Sequence, residues 1–256
     1  MLKLYIGNKN YSSWSMRPWV LLKQAGIDFE EVLVRFDSFD AQSAFKQTLG
    51  VITPVGKVPA LVAGALGVWD SLAIAEYLAE KFPEKALWPA AAAERALARS
   101  ICAEMHSGFG ALRAACPMNI EARLPGVGQL VWRDKPGVQA DVQRLVTMWS
   151  DLLVVHSGTR AYAGSTGLPP EPQAVLQAEE TAPTASAPFL FGHFTIADAF
   201  FAPVCTRLQT YGLPVPPHIA AYITRVLSLP GVKAWTDAAM LEHDFRAFQE
   251  PYRLQR

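Results

Sequence analysis

Val51-Ile-Thr-Pro-Val-Gly-Lys-Val-Pro-Ala-Leu61, with Trp69-Asp70-Ser71 a short way on, decides how the N-terminal part of this chain folds. Val58-Pro59 stands between a Gly-containing loop and an apolar strand start, where a proline, lacking an N–H, marks a strand entry or a turn. X-Pro bonds adopt the cis form cheaply, and a cis bond here would turn the Val58 N–H and C=O outward, ready to pair with another peptide. Asp70-Ser71 opens an apolar-periodic run, Leu72, Ile74, Ala75, Leu78 and Ala79, which predicts a helix from Ser71 to about Phe82. A helix N-terminus with free N–H groups and a hydroxyl suits a carboxylate. Asp70 beside it suits an ammonium. Together these groups are expected to hold a small peptide that carries one free α-amino acid end.

The residues before this stretch supply the rest of one domain. Leu2–Ile6 is a short apolar strand, and residues 7–15 read as a polar turn. Met16 to Ala25 has helical periodicity, with Gly26 where a C-terminal cap belongs. Phe29 to Val34 alternates like a strand, and Asp40 to Leu49 is a weaker helix ended by Gly50. Ala60–Val62 and Gly67–Trp69 flank a tight turn and predict a hairpin. The order β-α-β-α-β-β-α is that of a thioredoxin-like domain. Its first strand-to-helix loop carries serine and tryptophan in place of Cys-x-x-Cys, which excludes dithiol exchange through the protein's own cysteines.

Val-Pro, then Asp-Ser opening a helix, behind a serine-rich turn, resembles the glutathione site of the cytosolic glutathione transferases. The resemblance implies that Val58, after which Pro59 sets the bend, pairs with the cysteinyl part of glutathione, and that Asp70 and Ser71 bind its γ-glutamyl end. Most members have Glu-Ser or Gln-Ser, so Asp70 is a shorter variant. Lys57 lies where many relatives have Gln, and with Lys46 it is a candidate for the glycyl carboxylate. Tyr11-Ser-Ser-Trp-Ser-Met-Arg17 is similar to the loop of the serine-type, zeta-like members. Counting back from Gly26 places their catalytic serine at Ser12, with Ser13 a neighbour able to substitute. Trp14 stands where zeta and beta members have cysteine, which argues against a mixed-disulfide mechanism. A thiol of ordinary pKa, ~8.5, is only a few per cent thiolate at neutral pH. Lowering it by about two units needs roughly 2.7 kcal/mol, the scale of one or two charge-assisted hydrogen bonds. The plain alternative for these serines is a solvated polar turn. Arg17 is expected to anchor the loop through hydrogen bonds to carbonyls, the alternative being a contribution to the field that stabilises the thiolate.

Composition bounds the remainder. The 256 residues are 51% hydrophobic with zero formal net charge, enough for a sizeable core and without the basic footprint of nucleic-acid or anionic-membrane partners. The first residues turn at Gly7-Asn8 before any signal-peptide core, and no run has transmembrane length. Three widely spaced cysteines suit a reducing cytoplasm, and scattered histidines offer no metal site. Pro83 to Pro89 breaks the chain, so the expected layout is a thioredoxin-like α+β domain over 1–82, a linker over 83–92, and an all-helical domain over 93–256.

In that helical part, Ala90 to about Ala115 reads as one long helix and Val138 to Val155 as a second. His106, Phe109, Arg113 and Met118-Asn119 are placed to point toward the glutathione sulfur, and His106, Phe109 and Arg113, with Tyr11 and Trp14 from the facing loop, are the second-substrate candidates. Residues 157–187, rich in Gly, Ser, Thr, Pro and Ala, read as a mobile surface loop. Thr195-x-x-Asp198 is a capping pattern with Phe194 placed as its staple. It resembles the buried N-capping box of the family and is folding machinery. The closing helices are expected at Tyr222–Leu229 and Val232–Leu241.

The resemblance implies a transferase with glutathione as co-substrate, a small apolar electrophile as second substrate, a role in detoxification, no metal and a homodimer. Its variants are a glutathione-dependent isomerase of the maleylacetoacetate type and a non-catalytic glutathione-binding regulatory protein.

Overall fold

The apolar strand β1 (Leu2–Ile6) becomes the inner member of a four-stranded sheet ordered β2-β1-β3-β4, with β2 at Phe29–Leu33, β3 at Ala60–Ala63 and β4 at Leu66–Val68. β1 runs parallel to β2 and antiparallel to β3, pairing Leu4 with Glu31 on one side and Leu61 on the other. The computed structural model describes residues 1–156 and 188–255. The sequence expectation for 157–187 therefore lies outside the described residues.

Three helices complete this half: α1 (Ser13–Gln24), α2 (Ala44–Gly50) and α3 (Ser71–Lys81). Gly26 takes the left-handed φ of +64° that the end of α1 requires. α1 begins three residues earlier than its apolar period, because Ser12 to Ser15, polar by composition, already lie at or inside its first turn. The Val58-Pro59 bond is cis.

The second half contains, among the described residues, α4 (Ala92–Ser107), α5 (Gly110–Ala115), α6 (Pro125–Asp134), α7 (Pro136–His156), α8 (Ile196–Tyr211), α9 (Pro217–Ser228) and α10 (Pro230–Leu241). The single helix expected over residues 90–115 is two. Phe109 is left-handed at φ +55°, and a Cβ on Gly108 would meet the Glu104 carbonyl oxygen at 2.8 Å. The apolar spacing continues across this break, so periodicity hides it. The Thr195/Asp198 pattern closes as a capping box at the start of α8, wholly buried. Phe194 meets Phe189 edge-on at 6.2 Å.

α1 packs between the halves, against α8 and α10. One apolar cluster runs without a break from Leu4 and Ile6 in the sheet through Trp19 to Phe200, Tyr222 and Trp235. After α10 the chain does not stop. Residues 242–255 return across the first half as a strap, and sequence reading gave no hint of it. Among the described residues no helix is long and apolar enough to cross a membrane.

Candidate functional site

The turn between β1 and α1 is not solvated. Asn8, Lys9, Asn10 and Ser12 are all buried, and the first three are pinned by elements distant in sequence. Asn8 Oδ1 accepts from Phe36 N at 2.8 Å, and Asn10 Oδ1 accepts from Glu121 N at 2.8 Å. Trp235 Nε1 donates to the Lys9 carbonyl at 3.0 Å, while Lys9 Nζ reaches Glu31 at 2.6 Å. Burying this many polar groups costs free energy unless each is paired. These bonds fix the turn, and of its buried side chains only Asn10 Nδ2 is left without a hydrogen-bond partner among the described residues.

Within the turn, Gly7 N donates to Ser15 Oγ at 3.1 Å and Ser12 Oγ donates to Ser15 Oγ at 2.7 Å. Ser13 Oγ accepts from Arg207 Nη2 at 3.1 Å. No side chain caps the N-terminus of α1. Its dipole and first-turn N–H groups thus favour negative charge beside the two serines.

Ser12, Ser13, Trp14, Tyr11, Lys46, Lys57, Val58 and Arg113 all line one cavity of about 720 Å³. Of its other walls, only Met118 was legible in the sequence as a site residue. Phe36, Phe39 and Phe45 form an edge-to-face aromatic cluster on one side, at 5.2–5.8 Å between centroids. Gly110, Ala114, Pro117 and Met118 stand opposite, with Arg207 from α8 and Gln249 from the strap. Arg207 left one signal in the sequence: it and Asp198 are the only charged residues in the sixteen-residue α8.

Of the candidates, Pro59, Asp70, Ser71, His106 and Phe109 are not in the lining of this cavity. Phe109 is buried in the core. His106 Nε2 lies 3.1 Å from Asp70 Oδ2, and its ring meets Trp14 edge-on at 5.0 Å. Asp70 caps α3, accepting from Leu72 N at 3.1 Å, and its side chain is 53% exposed. Ser71 is fully buried and its Oγ has no hydrogen-bond partner. Lys46 Nζ already donates to the Gly56 carbonyl at 2.9 Å, whereas Lys57 is exposed. The Tyr11 hydroxyl donates to Glu250 Oε1 at 2.7 Å, and burial followed by that bond pushes its pKa up to about 12.

Electrostatically the floor of the site is cationic. Arg17 is buried with its guanidinium 4.3 Å from the Trp14 ring and 4.9 Å from Phe200, and its Nε and Nη1 have no hydrogen-bond partner. The expected carbonyl anchors for Arg17 are thus replaced by aromatic rings. The Arg113 guanidinium lies 4.7 Å from the same Trp14 ring. Burial, then the neighbouring Arg207 and Arg113, lower the Arg17 pKa to about 9. Burial, then Arg113, lower that of Arg207 to about 10. All three stay charged at neutral pH. Cations crowded against unpartnered N–H groups favour an anion in the cavity. Among the described residues no cluster of His, Cys, Asp and Glu is arranged to hold a metal.

Comparison with known proteins returns the same picture. A family model described as glutathione S-transferase, N-terminal domain, matches residues 11–81, and one described as glutathione S-transferase, C-terminal domain, matches residues 90–238. The chain is 31% identical over 168 residues to glutathione S-transferase 1 of Dianthus caryophyllus, covering 65% of this chain and 72% of that protein. It is 30% identical over 132 residues to maleylacetoacetate isomerase of Rattus norvegicus, covering 52% of this chain and 58% of that enzyme. A crystal structure of a glutathione transferase homolog from Burkholderia, with bound glutathione, superposes with a TM-score of 0.61 at 26% identity, covering 93% of this chain and 97% of the other.

Proposed function

The chain belongs to the glutathione S-transferase family and is a transferase of that kind, and from that premise we propose that its serine turn converts bound glutathione to the thiolate for attack on a small electrophile. The carrying observation is one cavity into which both serines, Val58 and a cationic wall open together. Glutathione lies with its cysteinyl peptide against the Val58 backbone. Its γ-glutamyl carboxylate meets the buried Ser71 hydroxyl and the first N–H groups of α3, and its ammonium meets Asp70. Lys57 faces the glycyl end. The thiol proton passes to solvent, a serine hydroxyl of the turn donates to the sulfur anion, and the field of Arg17, Arg113 and Arg207 favours that charge. The electrophile takes the space between Trp14 and the Phe36–Phe39–Phe45 cluster, where the thiolate forms the new carbon–sulfur bond as the carbon–leaving-group bond breaks and the leaving group, a halide for an aryl halide, departs to solvent with its electron pair.

Arg113 favours a second reading at the same site. Its Nη1 donates only to the carbonyls of His106 and Gly108, both at 3.3 Å, and among the described residues it forms no ion pair. An unsaturated carboxylic acid would answer that charge, so glutathione-dependent isomerisation of the maleylacetoacetate type is the nearest variant. A homodimer, a cytoplasmic location and a detoxifying role belong to the same proposal.

Conjugation of a generic aryl halide separates a catalyst from a glutathione-binding module. Wild type is expected to turn over, and Ser12→Ala and Ser13→Ala to lose rate while keeping glutathione affinity. A wild-type protein that binds glutathione with no conjugation or isomerisation rate is a binding module, and the catalytic proposal fails.

A further inference from the structure

Arg207 lies on α8 almost without solvent exposure, yet it reaches the serine turn at the other end of the chain. Its Nε donates to the Cys116 carbonyl at 2.9 Å and its Nη1 to the Pro203 carbonyl at 3.3 Å, which fixes the plane of the fork. Its Nη2 donates to Ser13 Oγ at 3.1 Å. A guanidinium has donors only. The direction of that bond is therefore settled: Ser13 accepts, and its single proton is left for another partner. Among the described residues no acceptor takes it, and Ser13 lines the cavity.

Ser12 is placed differently. Its hydroxyl donates to Ser15 Oγ at 2.7 Å, and Ser15 accepts the Gly7 N–H at 3.1 Å. The Ser12 proton is thus engaged inside the turn, while that of Ser13 faces the cavity. Accepting from a cation also polarises the Ser13 hydroxyl and strengthens it as a donor.

We propose that Arg207 is a positioning residue for thiol activation: it holds Ser13 Oγ as an acceptor and so aims the Ser13 proton at the sulfur of bound glutathione. This deepens the preceding proposal and rests on it. Ser13 keeps its proton throughout, and the proton lost by the thiol goes to solvent. The other charged groups facing the turn are Arg17 from α1, Asp70 before α3, His106 from α4, Arg113 from α5, Lys46 and Lys57 across the cavity, the Lys9–Glu31 pair, and Glu242, Asp244 and Glu250 of the strap. Cys116 and Tyr211 lie beside Arg207. Among these groups only Arg207 bonds either serine.

The test is the pKa of the bound thiol, read from thiolate ultraviolet absorbance in wild type, Ser12→Ala, Ser13→Ala, Ser13→Thr, Arg207→Lys and the Ser13→Ala/Arg207→Lys double variant. Removing one charge-assisted donor is expected to raise that pKa in Ser13→Ala by roughly 1–2 pH units, with a smaller rise in Ser12→Ala. Ser13→Thr, which keeps the hydroxyl, stays near wild type. Arg207→Lys, which keeps a cation and loses the fork, raises the pKa and adds nothing once Ser13 is alanine. A larger rise in Ser12→Ala than in Ser13→Ala overturns the proposal, and that comparison stands even where the Arg207 variant does not fold. An Arg207→Lys effect of equal size with and without Ser13 overturns it too, because Arg207 would then act by charge alone. Calorimetry with S-methylglutathione, which has no thiol proton, separates the two levels. Binding with the wrong pKa pattern sinks only the role of Arg207, whereas no binding to wild type sinks the glutathione site itself.

Discussion

Ser71 shows what a buried polar group without a partner means at the level of one residue. Its hydroxyl is enclosed at the start of α3 with nothing in the protein to bond. An unsatisfied buried hydroxyl contributes nothing to stability. Ser71→Ala is therefore expected to leave the melting temperature unchanged or slightly raised. If that hydroxyl receives the γ-glutamyl carboxylate, the same change weakens glutathione binding roughly tenfold, the value of one hydrogen bond to a charged group at about 1.5 kcal/mol. Thermal melting and titration calorimetry on one variant read both quantities, and a lower melting temperature with unchanged affinity refutes the assignment. The place of Ser71 at the start of α3 was legible in the sequence because it is local: a helix start with Asp-Ser needs only neighbours in the chain. Arg207 and Gln249 were not. Each reaches the cavity from an element far from the serine turn, and no spacing along the chain encodes that approach.

At the level of elements, two devices hold the site, one read in advance and one not. The capping box was visible as Thr195-x-x-Asp198 because a cap is set by residues three apart. Asp198 accepts from Thr195 N at 2.9 Å, Thr195 Oγ1 at 3.2 Å, Leu190 N at 3.3 Å and the Tyr222 hydroxyl at 3.0 Å. Asp198→Ala orphans several buried donors at once, so a loss of about 3 kcal/mol is expected in denaturant unfolding. A loss under about 1 kcal/mol would show that the bonds are replaced by water. The strap is the unread device. Asp244 pairs with Arg35 and accepts from Asn8 Nδ2 at 2.7 Å, and Glu242 accepts from Lys9 N at 2.7 Å. Glu250 accepts from Tyr11 at 2.7 Å and Asn119 at 2.8 Å, and pairs with Arg253. In sequence these are ordinary charges near a terminus, because all of these partners but Arg253 lie more than a hundred residues away. Burial pushes the Glu250 carboxyl up, but its bonds to Arg253, Tyr11 and Asn119 outweigh that and leave it below its ordinary 4.5. A depressed carboxylate stabilises the docked strap fully above its unfolded pKa and loses that contribution as pH falls through the folded value. Hydrogen exchange of residues 242–255, corrected for intrinsic rate, should accelerate below about pH 4.5, and Glu250→Gln should show the acid behaviour already at neutral pH. Protection independent of pH in both proteins would mean that Phe248, 5.3 Å from Phe39, holds the strap without the carboxylates.

Across the whole molecule, the two halves share their load-carrying contacts and should melt together. α1 belongs by sequence to the first half, yet it buries itself against α8 and α10 of the second. Trp19 meets Trp235 edge-on at 5.3 Å, Gly231 N donates to Gln24 Oε1 at 3.1 Å, and Ile196 N donates to the Leu87 carbonyl at 3.0 Å. The serine turn itself is held from the second half by Trp235, Arg207 and Glu242. A first half that lost α8 and α10 would expose the apolar face of α1 and leave buried polar groups of the turn unpaired, so no stable intermediate with one half folded is expected. Thermal unfolding followed by far-ultraviolet circular dichroism and by tryptophan fluorescence should give one coincident transition. Glutathione at about one hundred times its dissociation constant stabilises the native state by about 2.7 kcal/mol. For a chain of this size that moves the midpoint by roughly 5–10 °C. Both probes should move by the same amount, although the ligand touches chiefly the first half. Separated transitions, or a ligand shift confined to one probe, would show that the interface through α1 does not couple the halves.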